Sequence, residues 1–190
     1  IRKGADLSQR DKSGMTILMR SITRGNDEIF KFMLTQNIAL DDRNKLGETA
    51  LIIAANCSQK DMVATLLDRG VSTDQCDDRK VTGLMSAVFR GNALIVEIFL
   101  KHNANVDTAD IDGNTALSIA IVRGYGKLSQ MMLFALNGLP VPNNWATRHT
   151  DDTTALYLQP GDFPFLLKAN GGTKGHDNYL VRPPKQPDEY

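Results

Sequence analysis

Residues 44–76, NKLGETALIIAANCSQKDMVATLLDRGVSTDQC, decide the fold, because their pattern returns before and after them at a constant step. Thr16, Thr49, Thr82 and Thr115 stand 33 residues apart, and Leu18, Leu51, Leu84 and Leu117 keep the same interval. A fixed period of this length marks stacked supersecondary units, each too small to bury its own apolar face and dependent on its neighbours for a core.

Each period divides into two short helical runs and an extended turn. In the third, Leu84, Ala87 and Val88 recur at the spacing of one helical face, and Gly91 closes the run. Ile95, Ile98, Phe99 and Leu100 form a second, bulkier stripe. Ala54, Ala87 and Ala120 share a first-helix column that lets neighbours approach, whereas Met33, Leu66, Phe99 and Met132 share a space-filling column in the second helix. The contrast predicts a stack pinched on one face and therefore curved. Asp11, Asn44, Asp77 and Asp110 open the turns, with Gly14, Gly47 and Gly113 three residues on, which is turn chemistry. Lys80 stands where a further glycine is expected, predicting a strained or differently shaped third turn. Gly70 ends its second helix where a positive φ is wanted, and Asn37 and Asn103 hold that column elsewhere.

The chain resembles the ankyrin-repeat family through Gly47-Glu48-Thr49-Ala50-Leu51, Gly113-Asn114-Thr115-Ala116-Leu117, the helix ends Leu66-Leu67-Asp68-Arg69-Gly70 and Phe99 to Val106, and the 33-residue step. The resemblance covers about residues 1–137 and implies an all-α solenoid of helix-turn-helix units with projecting β-hairpin-like turns. The units are expected at 11–43, 44–76, 77–109 and 110–137, with residues 1–10 as the end of a truncated unit whose beginning lies upstream. The family's usual T-P-L-H is Thr16-Ile17-Leu18-Met19 here, and likewise altered at Thr49, Thr82 and Thr115. Losing that Pro and His removes a preset helix start and an imidazole bridge between turns, which implies units less rigid than consensus ones.

After Asn137 the period fails, and Gly138 to Asn144 reads as a proline-containing turn or connector, the start of an irregular C-terminal extension. Thr154-Ala155-Leu156 revives the signature 39 residues after Thr115, so 138–172 is expected to be a degenerate repeat or C-terminal cap. Trp145, Tyr157, Phe163 and Phe165 offer the alternative of a separate binding module. Residues 173–190 read as an extended or disordered tail.

Lys+Arg and Asp+Glu number 22 each, so no overall field draws the chain to a polyanion, and nucleic acid is disfavoured as a partner. No apolar run reaches the roughly 18 residues of a membrane span, so no membrane role is expected. Cys57 and Cys76 lack a CxxC spacing and fit reduced thiols. An intracellular protein, cytoplasmic or nuclear, is predicted.

The search for chemistry is negative. His102, His149 and His176 have no partner at metal-ligand or base–nucleophile spacing. The paired carboxylates Asp41-Asp42, Asp77-Asp78 and Asp151-Asp152 fall in turns, and Gly171-Gly172-Thr173-Lys174-Gly175 lacks phosphate-loop spacing. Nothing basic beside Cys57 suggests a lowered thiol pKa. No catalytic residue, metal or cofactor is therefore expected.

In ankyrin-like stacks the hairpin tips and the outer side of the first helix line a concave groove. Matching positions with binding potential are Arg24, Leu46, Arg79, Val81, Phe89, Arg90, Ile111, Val122 and Arg123. Arg24, Arg90 and Arg123 form a column interrupted by Cys57, a ladder able to grip carboxylates or phosphates. The helix dipole alone favours arginine at a helix end, so the column has a structural reading too. Leu46, Val81, Phe89, Ile111 and Val122 add an apolar strip. The expected function is a non-enzymatic scaffold or adaptor binding a segment of another protein, acidic or apolar in character. The alternatives are a regulatory or targeting region of a larger enzyme or channel, and binding mainly through residues 138–190.

Overall fold

The computed structural model describes residues 7–139. These form eight helices: α1 Ile17–Thr23, α2 Asp27–Leu34, α3 Ala50–Asn56, α4 Lys60–Asp68, α5 Gly83–Phe89, α6 Ala93–Lys101, α7 Ala116–Val122 and α8 Gly126–Leu136. No strand occurs among the described residues; the hairpins carry only isolated antiparallel bridges, Arg10 to Thr16, Arg43 to Thr49, Cys76 to Thr82 and Ala109 to Thr115. The architecture is the all-α repeat solenoid that the resemblance implies. The expected truncated start falls partly outside the described residues, as do nearly all of the cap at 138–172, the whole tail at 173–190, and His149 and His176.

The threonine column has a direct cause. Thr16, Thr49, Thr82 and Thr115 are extended N-caps whose hydroxyls accept from the backbone N–H of Met19, Ile52, Met85 and Ser118. Each satisfies a donor that helix geometry leaves orphaned, worth about 1 kcal/mol per cap. The cap supplies the helix start that the missing prolines would have preset. Thr115 goes further, since Ser118 Oγ accepts from its backbone N–H to complete a capping box.

Within a unit the helices pair as α1 with α2 through α7 with α8, and between units each first helix packs on the next, as do the second helices from α4 to α6 to α8. Ala54, Ala87 and Ala120 are fully buried where the first helices meet, and Ser21 takes that place in α1 by donating its hydroxyl to Leu18 O at 2.7 Å. Met33, Leu66, Phe99 and Met132 are equally buried. The α6 stripe divides: Ile95 and Phe99 are enclosed with Val96, whereas Ile98 and Leu100 are half-buried at its margin.

Two turn expectations change. Lys80 takes φ 60°, beside 77°, 75° and 82° at Gly14, Gly47 and Gly113, so the third turn keeps the common shape and a lysine holds the left-handed position. Gly70 and Asn103 adopt positive φ after α4 and α6, but Asn37 does not. Helix α2 caps at Thr35, one residue earlier in its period than α4 and α6, and Ile38 N donates to Gln36 O there. At the far end Gly138, with φ 64°, lies in the turn that closes α8, and the rest of the expected connector, 140–144, lies outside the described residues.

Candidate functional site

Every hairpin is built on one side-chain oxygen. Asp11 Oδ1 accepts from the N–H of Ser13 and Met15, Asn44 Oδ1 from Leu46 and Glu48, Asp77 Oδ1 from Arg79 and Val81, and Asp110 Oδ1 from Asp112 and Asn114, at 2.7–3.0 Å. Asp11 is held below the usual carboxylate range: burial acts upward, but the Arg20 side chain and the Met15 and Ser13 amides outweigh it. Asp110 is lowered likewise, with burial opposed by the Asn114 side chain and backbone, the Asp112 amide and the Arg79 charge.

The hairpins are stitched to one another at their tips. Lys45 N donates to Ser13 O at 3.0 Å, Asp78 N to Leu46 O at 3.1 Å and Ile111 N to Arg79 O at 3.0 Å. Ion pairs run alongside: Arg10 with Asp42, Arg43 with Asp78 at 3.3 Å, and Arg79 with Asp112 at 2.8 Å. Such exposed pairs contribute about 0–1 kcal/mol each, so they set register more than stability. Arg79 is thus committed to a neighbouring tip, with much of its side chain still in solvent.

Below the tips lie the first-helix ends. Arg24, Cys57, Arg90 and Arg123 are the C-caps of α1, α3, α5 and α7, where a cation complements the helix dipole. The ladder does not project uniformly, because two guanidiniums fold back on the preceding unit. Arg90 Nε donates to Asn56 Oδ1 at 2.9 Å, and the Arg123 guanidinium sits 3.6 Å from the centroid of the Phe89 ring. Both contacts join a C-cap to the last helical residue one unit earlier. Arg24 is exposed and has no partner among the described residues.

Burial pushes the Cys57 thiol above its ordinary value, with Arg90 opposing and Glu48 adding to the rise. A basic group therefore does stand near Cys57, contrary to the sequence expectation, but burial outweighs it.

The apolar strip is largely open: Leu46 is 66%, Phe89 48%, Ile111 57% and Val122 86% exposed. Val81 is half-buried against the core. Phe89 points outward beneath Arg123 rather than inward. Sequence reasoning missed Ile29, Phe32 and Leu94, exposed on the second helices. The sign available was that Phe32 shares its column with Thr65, a polar position in the next unit.

Among the described residues no three His, Cys, Asp or Glu side chains come together to hold a metal. His102 binds Ile98 O and reaches Asp68 Oδ1 of the preceding unit, a bridge between second helices. No helix among the described residues is long and apolar enough to cross a membrane.

Capped helix pairs, stitched hairpin tips and an open apolar and cationic surface define a repeat protein that presents a surface. A family model described as Ankyrin repeats (3 copies) matches residues 1–77 and again 69–140, and the chain belongs to the ankyrin-repeat family. Members of this family generally mediate protein–protein interaction and are typically non-enzymatic. No curated protein matches the chain.

Proposed function

We propose that this chain is a non-enzymatic scaffold or adaptor that holds a segment of a partner protein against its hairpins and first-helix ends. The observation that carries the reading is the open strip of Phe89, Ile111 and Val122, bordered by Arg79, Arg90 and Arg123. Exposed apolar side chains edged by arginine are the composition of interface cores, and aromatic and arginine residues dominate their energetics. Leu46 and the half-buried Val81 extend the strip, and Arg24 adds a cation at its first-unit end. The partner is a protein segment; no cofactor, membrane or nucleic acid enters the reading.

Affinity capture from cell lysate with the intact chain, a Phe89→Ala/Arg90→Ala variant and a version ending at Asn137 tests it. A partner lost only from the double variant, with its circular dichroism unchanged, supports the groove. Capture that survives those substitutions and disappears on truncation moves the function to residues 138–190.

A further inference from the structure

The units do not present equal surfaces. Reading one tip position from unit to unit gives Lys12, Lys45, Asp78 and Ile111, and the last residue of each first helix gives Thr23, Asn56, Phe89 and Val122. Both columns run from polar to apolar in the same direction. At the first two units Lys12, Arg24 and Lys45 are exposed, and no carboxylate among the described residues pairs with them. The hairpin carboxylates near them are engaged elsewhere: Asp11 by Arg20, Asp42 by Arg10, and Glu48 accepts from Asn44 Nδ2 at 2.7 Å.

At the last two units the balance reverses. The arginines are engaged, Arg79 by Asp112, Arg90 by Asn56 and Arg123 by the Phe89 ring. Asp78 is matched by Arg43. Lys80 is the exception, an exposed cation carried on the turn's left-handed position rather than in either column. The open apolar side chains of the two columns at this end are Phe89, Ile111 and Val122, and Arg123 covers one face of the Phe89 ring.

Resting on the groove reading above, we infer that the surface reads a two-part segment of a partner protein. An acidic part of the segment meets the exposed cations of the first two units, Arg24 and Lys45, and an apolar part lies on the exposed Phe89, Ile111 and Val122 of the last two. The spacing follows from the stack. Packed helices lie about 10 Å apart, so Arg24 and Phe89, two units apart, are separated by about 20 Å. An extended chain rises about 3.3 Å per residue, which places the acidic and apolar residues about six positions apart. Engaged cations at the apolar end make acidity there of little value, while unpaired ones at the other end leave charge to be matched.

The test is selection of random dodecapeptides on the full chain, followed by fluorescence anisotropy of the enriched peptides against wild type and two variants. The expected peptides carry an acidic and an aliphatic or aromatic residue about six apart, in either chain direction. Arg24→Glu/Lys45→Glu weakens them about tenfold, as reversal of two exposed charge pairs should, and replacing the peptide's acidic residue by lysine restores binding to that variant. Phe89→Ser/Val122→Ser weakens them by about tenfold or more; because it also frees Arg123, the acidic preference is read with Ile111→Ser/Val122→Ser, which keeps the Phe89 ring and leaves that preference unchanged. Peptides that depend on Phe89 and Val122 but show no acidic preference, or lose it only with Arg123→Gln, overturn the two-part reading and leave the groove reading intact. Peptides indifferent to every one of these substitutions, or no enrichment at all, overturn both.

Discussion

The second and third units share one backbone and reach it by opposite choices. Each has a left-handed residue in the hairpin turn and another after the first helix. The second unit uses glycine in the turn, Gly47, and serine after the helix, Ser58 at φ 58°; the third uses Lys80 at φ 60° in the turn and Gly91 after the helix. Inside, the second unit pairs the column residues Ala50 and Leu66, whereas the third pairs Gly83 and Phe99. The conformation repeats, and the residues supplying it are exchanged according to what each neighbour leaves room for. A Cβ on Gly83 would come within 2.5 Å of Phe99 Cζ, and one on Gly91 within 3.0 Å of Tyr125 Cζ.

The sharpest way to break this comparison is Gly83→Ala. Overpacking against a fully buried ring costs about 2 kcal/mol, outweighing the smaller gain from removing a helical glycine. Denaturant unfolding should show that loss, and Phe99→Leu added to it should recover most of the loss by recreating the second unit's combination. A Gly83→Ala protein as stable as the parent would refute the coupling. Next in size, Gly91→Ser should cost about 1 kcal/mol, because a side chain in the left-handed region is strained and Tyr125 must also give way. The converse changes, Lys80→Gly and Ser58→Gly, should each raise stability by about 0.5 kcal/mol, relief of strain exceeding the added freedom of the unfolded chain.

The smallest effect concerns the turn oxygens. Asn44 does with an amide what Asp11 and Asp110 do with carboxylates, so Asp110→Asn should leave the hairpin intact at neutral pH. Asp11 and Asp110 titrate lower in the folded state, so near the ordinary carboxylate value of about 4 the unfolded chain binds more protons. The stabilisation is present above that pH and is lost as pH falls through the folded values. An Asp11→Asn/Asp110→Asn protein should therefore show a shallower acid decline in melting temperature than the parent.

The threonine, alanine and Asp/Asn columns were legible in the sequence because each serves a contact inside its own unit or repeated at one constant step. Thr49 caps its own helix, and Ala54 meets a neighbour displaced by one period. Less legible were contacts whose partners depend on side-chain direction between units. Arg90 and Arg123 look alike as letters, but one finds an amide and the other a ring, because Asn56 and Phe89 differ one unit back. The tip ion pairs follow no fixed step either, with Arg43 reaching 35 residues ahead to Asp78 and Arg79 33 ahead to Asp112. Asn37 departs from its column because its helix ends a residue early, a boundary that composition does not mark. At the candidate site, exposure of Leu46, Phe89, Ile111 and Val122 followed from the period, while the commitment of the arginines did not.

The tip stitches have one more consequence. Ser13, Leu46 and Arg79 offer the next hairpin a main-chain carbonyl, and Lys45, Asp78 and Ile111 answer with a main-chain amide. Because no side chain takes part, the join is blind to which unit follows. Excising residues 44–76 would bring the Ser13 carbonyl to the Asp78 amide with the same chemistry. Such an array can be lengthened or shortened by whole periods at the gene level, and selection is left to work on the letters that face outward.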